Sequence, residues 1–172
     1  MARIRPARTM RNLHSQAWSR YSLKKPRKNY VRAMPHTSLL IFNMGTKRDD
    51  YDISLTLNTE QRIQLRSNSL ESARLVANKY LERTIPLNYS FKILVYTHNV
   101  IREHKMATGA GADRISQGMS NSFGRPVSVA ARLKEGQPIF LVQTKKENRN
   151  VAVEALRRAS SKLSGTYKVK AS

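Results

Sequence analysis

From Tyr51 to Asn58 the chain alternates strictly: Tyr51, Ile53, Leu55 and Leu57 are interleaved with Asp52, Ser54, Thr56 and Asn58. A period of two predicts a strand with one buried face. Leu39–Met44 is a short apolar run and predicts another strand. Tyr89–Tyr96 predicts a third, continuing towards Ile101. Val127–Leu133 predicts a fourth, with Val127, Val129, Ala131 and Leu133 on one side. Glu135-Gly136 supplies a turn, and Ile139–Gln143 returns as the partner strand. Tyr167–Val169 is a candidate edge strand.

Between these runs the period lengthens. Leu70, Ala73, Ala77, Tyr80 and Leu81 share one helical face within about Asn68–Thr84, and Pro86 ends the segment. Asn68 followed by Glu71 three residues on reads as a capping box. A second helix is predicted over about Glu147–Leu163, with Val151, Ala155, Leu156, Ala159 and Leu163 inward and Arg157, Arg158 and Lys162 outward; Gly165 is its C-terminal stop. Two amphipathic helices and five or six strands predict an α+β fold on a mainly antiparallel sheet.

Charge changes the picture at the N-terminal end. The first 48 residues hold twelve Lys or Arg and no Asp or Glu, while all eleven acids lie from Asp49 onward. The net charge of +21 therefore divides into +12 on this stretch and +9 on the rest. Residues 1–38 read as an irregular basic arm, because Pro6, Pro26 and Pro35 break helical continuity. The expected division is an arm over 1–38 and one α+β domain over 39–172. A segment so self-repelling gains most from a dense polyanion, whose counterions are released on contact. Arg3, Arg5, Arg8, Arg11, Arg20, Lys24, Lys25, Arg27, Lys28 and Arg32 are the candidate phosphate contacts. Trp18, Tyr21 and Tyr30 lie among them. Such rings either stack on exposed bases or pin the arm to its own domain.

Other chemistries find little support. Cysteine is absent, which removes disulfides, thiolate metal sites and Cys nucleophiles. His14, His36, His98 and His104 have no helical His partner, so no metal site is expected. Gly109-Ala110-Gly111 lacks the rest of a phosphate-loop pattern. His104, Asp113 and Ser116 form only a generic nucleophilic set, with Asp113 better read as a cap or a partner of Arg114, and no catalytic role is expected. Apolar runs are too short to span a membrane. Arg102–Ala112, with Arg102, His104 and Lys105 followed by Gly109 and Gly111, reads as either a solvated hairpin tip or a mobile basic finger.

Ala112-Asp113-Arg114-Ile115-Ser116-Gln117-Gly118-Met119-Ser120-Asn121-Ser122-Phe123-Gly124-Arg125-Pro126 resembles the signature of the archaeal and eukaryotic ribosomal protein L-ten-e family, relatives of bacterial L-sixteen. Arg5–Arg8, Ile41–Gly45, Ala77–Tyr80 and Val153–Ala159 resemble it too, so the likeness runs along nearly the whole chain. Arg125 replaces the usual Lys and keeps the charge. Ser120 stands where Arg is frequent and removes an expected phosphate contact. The long C-terminal extension of eukaryotic members is missing, which favours an archaeal type.

The resemblance implies an α/β-hammerhead-like fold and a cytoplasmic, ribosomal location. It implies large-subunit rRNA, the vicinity of 5S rRNA, A-site tRNA and other large-subunit proteins as partners, with the protein monomeric there and no membrane or cofactor involved. The loop over 102–112 is then expected to face tRNA ends, and Arg114 and Arg125 to meet RNA. Gly118, Gly124 and Pro126 would shape the backbone, with Met119 and Phe123 in a local core. A free tRNA- or DNA-binding accessory factor is the alternative, and a hydrolase with a basic tail a third.

Overall fold

The computed structural model describes residues 34–171, apart from Asp49, Thr108, Gln117, Asn121 and Phe123. Among the described residues, eight strands and three α-helices follow in the order β1 (Asn43–Gly45), β2 (Ile53–Thr59), β3 (Ile63–Arg66), α1 (Ser67–Thr84), β4 (Tyr89–Ile93), β5 (Asn99–Glu103), α2 (Ala112–Ile115), β6 (Arg125–Leu133), β7 (Pro138–Thr144), α3 (Arg149–Ser160) and β8 (Tyr167–Ala171). They form a five-stranded sheet, β1-β4-β7-β2-β8, and a three-stranded sheet, β3-β6-β5. Every pairing is antiparallel. The α+β class expected from the sequence is the observed one.

The core lies between the five-stranded sheet and the two long helices, which pack on each other. Leu55 and Leu57 of β2, Phe91 of β4, and Phe140 and Val142 of β7 meet Leu70, Ala73, Ala77 and Leu81 of α1 and Ala152, Ala155, Leu156 and Ala159 of α3. Phe91 and Phe140 meet edge to face with centroids 5.4 Å apart, a geometry that adds roughly 0.5–1.5 kcal/mol to their burial. Small residues on the facing helices let the backbones approach closely. At the rim the Arg158 guanidinium lies 4.0 Å from the Tyr80 ring centroid and its Nε donates to Glu154 at 2.9 Å. Ala152 is fully buried whereas Val151, expected inside, is half-buried.

Several expectations are corrected. The apolar run from Leu39 does not form a strand until Asn43, because only Leu39 is buried while Leu40 and Ile41 are exposed. The Leu39 N–H donates instead to Thr37 Oγ1. Tyr89–Ile101 is not one strand: β4 and β5 belong to different sheets. The helix from Glu147 starts as a 3-10 turn over Lys146–Asn148 and becomes α-helical at Arg149.

The capping box also fails. Arg66 occupies the cap position of α1 with extended backbone, and no side chain caps the helix. Asn68 Oδ1 accepts only from the neighbouring Ser69 N–H. Glu71 turns to the buried Arg74, whose Nε donates to Oε2 at 2.8 Å while Nη1 points at Met44 Sδ. The hydrogen bond to Glu71 raises the Arg74 pKa against the lowering effect of burial. Asn68→Ala is therefore expected to shift unfolding free energy by less than about 0.5 kcal/mol, where a true cap would cost about 1. Thermal unfolding of the two proteins side by side checks this.

A candidate nucleic-acid interface at the tip of the small sheet

β5 and β6 carry the three-stranded sheet away from the main core. Ile63, Leu65, Ala131 and Leu133 tie its near end to that core. Farther out only Val100 and Val129 pair as a small buried cluster. Beyond Glu103 and before Arg125 the chain forms the tip. Apolar support thus ends where the charged and glycine-rich segments begin, and local hydrogen bonds take over.

Three such bonds organise the tip. Arg102 belongs to β5, not to the loop assigned from sequence, and its Nη2 donates to the Gly124 carbonyl. His104 Nε2 donates to the Gly118 carbonyl at 2.7 Å. The Gly118 N–H donates to Ser116 Oγ at 3.3 Å. Gly111 adopts a left-handed conformation and opens α2, a single turn closed by Ser116 N–H to Ala112 O at 2.7 Å. Two sequence segments, joined by bonds that span 22 and 14 residues, are thereby laced together.

Gly124 is held in a narrower space. Its φ is +71°, and a Cβ there would stand 2.6 Å from the Glu103 carbonyl carbon and 2.7 Å from His104 N. Both are backbone atoms, so a side chain could enter only by parting β5 from the tip.

Between the two laced segments lies an open cleft of about 690 Å³, whose lining includes Glu103, His104, Lys105, Ser116, Ser120 and Arg125. Lys105, Arg114 and Arg125 are exposed, as are Gly109 and Gly111. So are Met106, Ile115 and Met119; Met119 is 66% exposed, which corrects its expected place in a local core. The acidic member, Glu103, was given no role by sequence reasoning, although it is the lone acid between Arg102 and Lys105. It faces Arg66 electrostatically: burial lowers the Arg66 pKa and Glu103 opposes that shift.

The arrangement does not support nucleophilic catalysis. His104 Nε2 is committed to a backbone carbonyl and Ser116 Oγ to a backbone N–H. The Asp113 side chain and Phe123 lie outside the described residues. Among the described residues no cluster of His, Asp or Glu could hold a metal, and no helix is long and apolar enough to cross a membrane. The structure gathers Arg102, His104, Lys105, Arg114 and Arg125 at one end of the molecule. The arm candidates Arg3, Arg5, Arg8, Arg11, Trp18, Arg20, Lys24, Lys25, Arg27, Lys28, Tyr30 and Arg32 lie outside the described residues.

A glycine-laced basic tip on a small antiparallel sheet is the region carrying the family-like signature. The profile of ribosomal protein L16p/L10e matches residues 18–170. The chain belongs to this ribosomal protein family. Among its relatives, the large ribosomal subunit protein uL16 of Archaeoglobus fulgidus is 45% identical over 156 residues, covering 90% of each chain. The protein of the same name from Methanococcus aeolicus is 44% identical, covering 93% of this chain and 89% of its own. That from Hyperthermus butylicus is 43% identical, with 92% and 88% covered. The family is one of ribosomal components rather than enzymes, and its archaeal members match the archaeal type expected from the sequence.

Proposed function

We propose that the protein is a structural constituent of the large ribosomal subunit in the cytoplasmic ribosome, that it binds rRNA, and that it helps to position A-site tRNA. The arm over 1–38 supplies most phosphate contacts, which fix position without reading sequence. Arg114 and Arg125 add contacts at the tip. Lys105 and the glycines beyond it approach the tRNA, with other large-subunit proteins and the 5S rRNA vicinity nearby. The observation carrying this reading is the tip itself: exposed cations and two glycines on a backbone fixed by Arg102, His104 and Gly124. Such a scaffold holds a small, charged loop close to RNA without bulky side chains in the way.

The test separates the loop from its base. Replacing Lys105–Gly111 by a short Gly-containing turn retains Arg102 and His104. Loop closure depends weakly on length, so stability should change by less than about 1 kcal/mol. Ribosomes carrying this variant should bind A-site tRNA poorly or mature late. Normal melting together with normal tRNA occupancy and normal subunit yield would remove the loop's assigned role. Release of the wild-type protein from large subunits in a high-salt wash would favour a free nucleic-acid-binding factor.

A further inference from the structure

The small sheet has two unlike faces. Ile63, Leu65, Ala131 and Leu133 turn one of them to the main core, and Val100 and Val129 extend it outward. The opposite face is largely polar. Cross-strand partners share a face: Gln64 of β3 pairs with Arg132 of β6, Arg66 of β3 with Ala130, and Ala130 in turn with Asn99 of β5. Alternation along β5 puts Ile101 and Glu103 on the same face as Asn99. β3 and β5 lie two strand spacings apart, about 10 Å. Their side chains nevertheless meet over the middle strand, where Ala130 leaves room: Asn99 Nδ2 donates to Gln64 Oε1 at 2.8 Å.

A second crossing, nearer the tip, is charged. Arg66 Nε and Glu103 Oε1 are both buried from solvent, and Glu103 opposes the lowering of the Arg66 pKa by burial. The two residues have different anchors. Arg66 ends β3 and occupies the cap position of α1, between the buried Leu65 and Ser67, so it is fixed to the main core. Glu103 ends β5 and precedes His104, and its own carbonyl is what Gly124 approaches. Between Ile101 and Arg102 the β5–β6 register shifts, and an irregularity of this kind bends and twists a ladder locally. Apolar support has already ended at Val100 and Val129. Backbone pairing and packing thus both weaken where the tip leaves the sheet.

We infer that Glu103 and Arg66 are positioning residues: their pairing across β6 ties the tip to the start of α1 and sets the direction in which residues 105–114 are presented. The inference rests on the reading that the tip meets tRNA and deepens it; neither residue touches RNA. Arg125 is the direct cross-strand partner of Glu103 and is exposed. A pairing there would hold Glu103 to the tip alone and leave the direction unset. Both Arg66 and Glu103 are half-buried, so a partner left alone regains water once the tip swings. The loss then appears as motion of the tip and not as unfolding of the core.

The chain has no cysteine, so Leu75→Cys on α1 and Ser120→Cys on the tip, both at exposed positions, accept a pair of spin labels. In the labelled full chain, Glu103→Gln and Arg66→Gln should each broaden the distribution of distances between the labels. The double variant should broaden it no further than either single one. Ribosomes carrying the unlabelled single variants should bind A-site tRNA about fivefold more weakly, and the double variant no more weakly than that. Melting temperature and hydrogen-exchange protection at Val100 and Val129 should stay as in the wild type.

Unchanged label distances in both single variants would overturn the inference. Additive broadening would do so too, because Glu103 would then act through Arg125 or another neighbour. A lower melting temperature with lost protection at Val100 would make the pair a prop of the sheet and overturn it as well. Broadened distances with wild-type tRNA affinity would leave the tie standing and sink the parent reading that the tip meets tRNA.

Discussion

Removing residues 1–36 is expected to cut affinity for rRNA fragments by at least about a hundredfold near 0.1 M salt. Ten of the chain's Lys and Arg lie in this span, and no acid offsets them. If about six to eight phosphates are neutralised by the whole protein, the log–log salt slope should lie at roughly −4 to −7, between the single-strand and duplex values. The truncated chain should show a substantially shallower slope. Its melting temperature should hold, because the core formed by the described residues, from Leu39 to Leu163, is retained whole. A slope unchanged by truncation would place the phosphate contacts on the folded body and end the arm's assigned role. The measurement is a salt series on both chains with one RNA fragment, together with thermal unfolding.

The second large effect is expected at Gly124. Gly124→Ala introduces a Cβ against the Glu103 and His104 backbone and does so at a positive φ. Neither neighbour can yield as a flexible side chain would. The lowest-cost escape is for the tip to swing away from β5, which breaks the Arg102–Gly124 bond and disturbs the His104–Gly118 bond. A loss of about 2–3 kcal/mol is expected in the stability of the small sheet's outer end. Hydrogen exchange at β5 and β6 reads that loss locally.

Gly118→Ala is the control. Its φ is also positive, at +58°, but nothing stands within 4 Å of the added atom. It should cost only about 1 kcal/mol. Equal protection in the two variants would mean that the close approach at Gly124 has no energetic weight. Assembled ribosomes carrying Gly124→Ala should also lose A-site tRNA occupancy more than those carrying Gly118→Ala.

The parts of the fold legible in the sequence are those where one residue's environment depends on its own strand or helix. The alternation at Leu55 and Leu57 and the helical stripe from Leu70 to Leu81 are of this kind, and both elements formed as read. Partner choice is not encoded in that pattern. Exposure alternates without interruption from Phe91 to Asn99, so period two runs through the point where the chain leaves one sheet for the other. β3 was missed because it spans four residues and passes into α1 with no Gly or Pro between them. Asn68 looked like a cap because composition cannot reveal that the helix begins at Ser67, with the cap position two residues before Asn68.

At the tip, the signature and its glycines were visible, and Gly124 is the one among them whose backbone is closely approached. The bond from Arg102 to Gly124 was not visible, since it joins segments 22 residues apart.

β8 closes against β2 across more than about a hundred intervening residues, through Leu55–Ala171 and Leu57–Val169. Contacts so distant along the chain form slowly, because ordering the long intervening loop precedes any reward. During synthesis β2 therefore emerges far ahead of the strand that covers its edge, and that open edge is a template for wrong pairings. The edge of β2 that β8 covers thus stays open until the residues up to Ala171 have been made.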